Sequence, residues 1–427
     1  MKTLIKLTLC MAATLGVHAV FAQHIPMLGR SYASGSTQGV PVAYIYVSVN
    51  NNLGGSPNQV EGFAAAWNGA LTPIPGSPFA ADLTGMVLNG KYLFGINNDQ
   101  PNEIDSFSIG WNGALKQVAK EDTYSDSPYG CIGVGSMILD HLGANLYAPV
   151  GAGGTCDSTA YLSYFIEGAT GQLKYLAHSQ VPKFLYNWPL TFTGNNVFAY
   201  GSECIYDYRG GAYLDTFTSM RRKSDGTLND LAASVPTPAA KYSDSFYCRG
   251  ITAADPANHI AVAMQAINLT NENVEGLTQI GTYSADKYGN LYTNSTYANM
   301  PVTEVGTVSD MSMAPSGRLL AVVGDGGLQI FKLDTDDGIR HYTDLLTHDN
   351  MSRITSSAGL VFWDNADHVY AISPYTSKLY VFHVTETNVS EAPGSPYTVA
   401  LPQNIVVLPK TKLTPSVSPE DGDGDKD

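Results

Sequence analysis

The chain has 427 residues, a formal net charge of −15 and only 14 % charged side chains, with 42 Gly, 26 Tyr and 23 Pro. β-Formers set among so many turn formers favour short strands joined by tight turns over helices, and a 44 % apolar share is too high for a disordered chain. The acidic balance repels phosphate backbones and anionic lipid, which excludes nucleic acid as an expected partner.

Residues 1–22 read as a secretory signal: Lys2 and Lys6, an apolar run from Leu7 to Phe21, and small residues at Val20 and Ala22 before Gln23. A secreted or periplasmic protein is expected, without membrane attachment once the signal is cleaved. Residues 23–41 form a lead-in without a repeat pattern.

The repeat begins next. Trp67-Asn68-Gly69-Ala70-Leu71 returns as Trp111-Asn112-Gly113-Ala114-Leu115, and looser copies follow around Gly171, Gly226, Gly289 and Gly338. A Gly at this place supplies the positive φ that a tight hairpin needs. Gly76-Ser77-Pro78-Phe79 returns as Gly394-Ser395-Pro396-Tyr397. Ahead of each Gly turn lie two apolar runs divided by a short polar connection, so each unit reads as four antiparallel strands, the content of a propeller blade. Units fall near 85–124, 130–182, 189–239, 249–302, 308–349 and 354–399. A first unit begins at residue 42 without an inner strand, and the orphan run 402–409 supplies one. The expected fold is an all-β, seven-bladed propeller over residues 42–409, closed by a C-terminal strand in the N-terminal blade. Residues 410–427, rich in Asp and Gly, are expected to be an acidic disordered tail.

Propeller topology gathers the loop into each inner strand and the loop after each second strand on one face, around the central channel. Asn97, Tyr129, Glu203, Tyr247, Arg249, Gln265, Asp310 and Asp325 map there. Arg249, at the expected entry of the fifth inner strand, suits a carboxylate or a polarised carbonyl, and Glu203 suits activation of water; the two could equally pair with each other. Asn97, Tyr129, Tyr247, Gln265 and Asp310 are the expected ligand contacts. His141, His259 and His368 fall in first-turn positions on the opposite face, where they are expected to be solvated. No metal-ligand spacing, nucleophile elbow or phosphate loop occurs, so neither metal nor cofactor is expected. Cys10 leaves with the signal, and Cys131, Cys156, Cys204 and Cys248 map to the channel-mouth face. Cys131–Cys156 and Cys204–Cys248 are the favoured pairs, which would suit an oxidising compartment.

Met313-Ala314-Pro315-Ser316-Gly317-Arg318-Leu319-Leu320-Ala321-Val322, with the interspersed Gly-Ser-Pro-Phe segments, resembles the repeat of the seven-bladed lactonase propellers, similar to 6-phosphogluconolactonases and muconate-lactonising propellers. The resemblance covers about residues 42–409 and implies hydrolysis or formation of a lactone ring without a cofactor. The family's Pro-His-Ala-His-like segment corresponds here to Ser127-Pro128-Tyr129-Gly130-Cys131-Ile132, which holds no histidine. Two function classes are therefore carried forward: a secreted lactone hydrolase with Arg249 as electrophilic anchor and Glu203 as base, and a non-catalytic propeller binding a glycan, peptide or protein through its loop face. In either case a monomer is expected.

Overall fold

The computed structural model describes residues 39–49, 58–127, 133–151, 159–181, 190–207, 211–334, 338–354 and 359–410. The signal (1–22), nearly all of the lead-in and the tail beyond Lys410 lie outside them. So do Tyr129, Cys131 and Cys156.

Seven antiparallel sheets follow one another along the chain. Their inner strands are, in blade order, Pro402–Pro409, Leu83–Leu88, Ile138–Leu139, Thr191–Phe192, Ser245–Ala254, Val308–Met313 and Val361–Trp363. The first blade is composite, as the orphan run implied. Pro402–Pro409 pairs antiparallel with Ala43–Val49, from Ala43 opposite Pro409 to Val49 opposite Pro402. Ala43–Val49 is buried at every position because each blade is sandwiched between two others. Its strands therefore need apolar or hydrogen-bonded side chains on both faces, and they read as continuous runs rather than as alternation.

The glycine turns are joints between blades. Gly69, Gly113, Gly171, Gly226 and Gly289 all adopt positive φ, between 76° and 88°. Each also abuts the preceding blade, where a neighbouring hydroxyl often caps its carbonyl. Tyr46, Tyr147 and Tyr200 donate to the carbonyls of Gly113, Gly226 and Gly289 at 2.7, 2.8 and 2.7 Å. In these three pairs a wide ring fills the gap between blades and its hydroxyl satisfies a turn carbonyl. At Gly113 a Cβ would lie 2.8 Å from Ile74 Cδ1 and 2.9 Å from Tyr44 Cδ1, on a backbone at φ 85°. Gly113→Ala combines backbone strain with overpacking, and should cost about 2–4 kcal/mol in urea unfolding. A change below about 0.5 kcal/mol would contradict this joint.

The structure corrects two expectations. His368 is not solvated but fully buried: Asp364 accepts from its backbone N–H at 2.9 Å, lies 2.9 Å from its Nδ1, and accepts from Tyr370 Oη at 2.8 Å. His259 is half-buried and held by Asp255 at 2.6 Å, whereas His141 is exposed. The turn carboxylate, which must accept backbone N–H groups from its own loop, also recruits the imidazole four residues on. Second, the fifth inner strand begins at Ser245 rather than near 249, so Tyr247 and Arg249 lie within it and not in the loop before it.

Candidate functional site

The strands of blades four and five are long at one end. Phe198–Asp207, Ser245–Ala254 and His259–Asn268 have 10 residues each and Val274–Ala285 has 12, against 6 for the second strands of blades two, three, six and seven. These extensions raise a wall on the channel-mouth face. Against it lies a cavity of about 770 Å³, lined by Glu203, Cys204, Cys248, Ile251, Gln265 and Thr278 from the wall and by Ser309, Asp325, Ser352 and Arg353 from blades six and seven.

Of the residues expected at this face, the cavity gathers Glu203, Gln265, Asp325 and the Cys204–Cys248 pair. Glu203 is almost wholly buried, at 3 % exposure. Its carboxylate is felt by a neighbour: burial first, and then Glu203, push the Tyr161 phenol up. Gln265 is oriented by Thr278 Oγ1, which donates to its Oε1 at 2.8 Å.

Arg249 does not pair with Glu203. Its Nε and Nη2 donate to Asp215 at 2.9–3.1 Å, its backbone N–H donates to the same carboxylate at 3.0 Å, and its guanidinium lies 4.9 Å from the Phe217 ring centre. Asp215 sits in mid-strand on Ala212–Arg222, the third strand of blade four. Arg249 thus joins blades four and five, and it is absent from the cavity wall. Tyr247 is buried, its hydroxyl 2.5 Å from Gln279 Oε1. Asn97 organises a turn in blade two, donating to Glu103 and Asp105 and accepting from the backbone of Asp99 and Gln100.

Asp310 faces the channel rather than the cavity. Its carboxylate accepts backbone N–H groups from Met311 at 2.9 Å, Leu360 at 2.7 Å and Val361 at 3.2 Å, which ties blade six to blade seven. Arg353 Nη2 approaches it to 3.8 Å. Burial holds the Asp310 carboxyl above the usual range against the pull of Arg353 and the amides. Arg353 is the functional candidate that the sequence reading missed. Its side chain is 11 % exposed, and it is the cationic residue among those lining the cavity, which Glu203 and Asp325 also line.

Cys204 and Cys248 form the expected disulfide, with Cα atoms 5.1 Å apart across the boundary of blades four and five. The bridge fits an oxidising, extracytoplasmic compartment. It spans 44 residues, for which loop entropy alone gives about 4 kcal/mol. Reduction, or Cys204→Ser with Cys248→Ser, should lower unfolding stability by about 2–4 kcal/mol. An unchanged denaturation midpoint would contradict a bracing role. The other expected pair, Cys131–Cys156, lies outside the described residues.

No protein-family model matches the sequence, and no curated protein does. Solved structures do resemble it. A functionally unknown protein from Desulfotomaculum acetoxidans superposes with a TM-score of 0.56 at 12 % identity, over 86 % of this chain and 98 % of that one. A protein from Lactobacillus plantarum gives 0.56 at 12 %, over 86 % and 99 %. A Bacteroides fragilis protein named as a candidate 6-phosphogluconolactonase gives 0.53 at 12 %, over 87 % and 99 %. At this identity the likeness is one of fold, the seven-bladed β-propeller.

Proposed function

We propose that the chain is a secreted lactone hydrolase acting in the channel-mouth cavity. One observation carries the reading: a cavity of about 770 Å³, large enough for a sugar-sized ring, sets the nearly buried carboxylate of Glu203 and the guanidinium of Arg353 in one wall system, among hydroxyl and amide groups. Hydrolysis adds water across the ring ester. The water oxygen bonds to the carbonyl carbon, the ring C–O bond breaks, and a hydroxy acid results. Glu203 takes the water proton as general base and returns it to the departing ring oxygen as the C–O bond breaks. Arg353 takes the anchoring role first expected of Arg249, stabilising the charge that develops on the carbonyl oxygen. Gln265, Ser309 and Asp325 offer donors and acceptors for ring hydroxyls. No cofactor enters the reaction. Residues 1–22, read as a signal, and the disulfide support an exported enzyme.

The test is acid release by the purified protein, followed by pH-stat on aldonolactones, their phosphorylated forms and homoserine lactones. Turnover of at least one, above the buffer rate and lost on heating, is expected. A protein with an intact disulfide and a native circular dichroism spectrum that is no faster than buffer on the whole panel overturns the proposal.

A further inference from the structure

A second surface on the molecule has no part in the cavity. The turns between third and fourth strands in blades one and two carry Trp67 and Trp111, which are 74 % and 90 % exposed. We propose that these two rings form a two-point stacking platform for a neutral polysaccharide.

The turn itself does not need tryptophan. Blades three, four and five place Ala169, Ser224 and Lys287 at the corresponding position, two residues before Gly171, Gly226 and Gly289, whose φ of 76°, 86° and 88° match the 80° and 85° of Gly69 and Gly113. The inward apolar contact is made by the leucine after the turn, with Leu71 at 8 % exposure. Two large rings held in water therefore stabilise neither turn, and an exposed large apolar side chain is informative when the fold gives no reason for it.

Both rings sit on rigid mounts. Gly69 N–H donates to Ala66 O and Gly113 N–H to Gly110 O, each at 2.9 Å. Tyr44 Oη donates to the carbonyl of Trp111 at 2.9 Å, and Tyr46 Oη to that of Gly113 at 2.7 Å. A ligand therefore meets preordered surfaces and orders little on binding.

Several observations select the occupant. The rings are separate and flanked by Asn68 and Asn112, whose Oδ1 atoms accept from Ala70 and Ala114 N–H at 3.2 Å. Among the described residues 39–127, the other exposed large apolar side chains are Val40, Val118 and Tyr124, fewer than the apolar centre of a protein interface gathers. Flat rings beside amides suit the apolar faces and hydroxyls of sugars. A net charge of −15 disfavours anionic polymers. Equivalent sites one blade apart favour a chain that reaches both over a single sugar.

Affinity electrophoresis tests this, in gels cast with hydroxyethylcellulose, arabinoxylan or laminarin, and with carboxymethylcellulose as the anionic control. Retardation by at least one neutral polymer is expected. Trp67→Ala and Trp111→Ala should each weaken it about 2–10-fold, and the double variant should migrate as in a blank gel, with its thermal unfolding unchanged. Retardation that survives in the double variant, or none by any neutral polymer, overturns the proposal. So does sedimentation in which the wild type self-associates through these rings without binding any glycan.

Discussion

A chain ended after Leu401 should fail to form a stable ring. The deleted strand buries Ile405, Val406, Val407 and Leu408 to 6 % exposure or less. At about 1.5–3 kcal/mol per buried aliphatic side chain, their loss removes about 6–12 kcal/mol, comparable with the whole stability of a typical protein, about 5–15 kcal/mol. The strand also joins three blades. It pairs with Ala43–Val49, Asn404 Oδ1 accepts from Met86 N–H at 2.9 Å in blade two, and Ile405 N–H donates to Gly359 O at 2.7 Å beside blade seven. Without it, Ala43–Val49 becomes an open, predominantly apolar edge of the kind that templates aggregation. Size-exclusion chromatography should find aggregate, and urea unfolding should lose its cooperative transition. A monomer with a wild-type midpoint would refute closure by this strand.

The largest functional effect is expected at Glu203. Glu203→Gln keeps the shape of the buried side chain but cannot take a proton, so kcat for lactone hydrolysis should fall by about 10²–10⁴-fold, with KM little changed. Arg353→Met should lower kcat/KM as well, because it removes the charge that meets the carbonyl oxygen. Arg249→Met is the contrasting variant: it leaves Asp215 without its partner between two blades, so stability should fall while kcat of the folded fraction is kept. A Glu203→Gln enzyme within twofold of wild type would remove Glu203 from the chemistry, and an Arg249→Met enzyme that is stable but inactive would return the anchoring role to Arg249.

The fold was legible because its joints are written locally. A Gly at positive φ with a leucine two residues after it marks the last turn of the first five blades, and residues 402–409 were an inner strand in search of a blade. The Cys204–Cys248 bridge followed from the same topology, which sets the end of one second strand beside the next inner strand. The site was legible only in part. Tyr247, Cys248 and Arg249 were assigned to one face, yet consecutive strand residues point to opposite sides. Cys248 faces the cavity while its two neighbours are engaged elsewhere. Asp215, the partner that captures Arg249, lies 34 residues away on the strand Ala212–Arg222, and long-range pairing of this kind leaves no mark on local sequence. Arg353 went unnoticed because it sits well ahead of its short inner strand, Val361–Trp363, in a stretch with no periodicity to align. His368 was misread for a related reason: a turn position suggests solvent, but the carboxylate of Asp364 draws the ring inward.

Ala43 lies opposite Pro409, and Lys410 N–H donates to Val42 O at 2.7 Å. The two ends of the ring are therefore neighbours, and which blade is written first matters little to the finished molecule. A circular permutant that joins residues 42 and 410 through a short linker, with new ends cut into an exposed turn such as Glu386–Asn388, should assemble the same seven sheets, because new termini are best tolerated at exposed turns. Its composite blade would become continuous, and another would become the seam. In such a permutant the last strand to dock would belong to a different blade, so the order of assembly could be varied while the site around Glu203 and Arg353 stayed as it is.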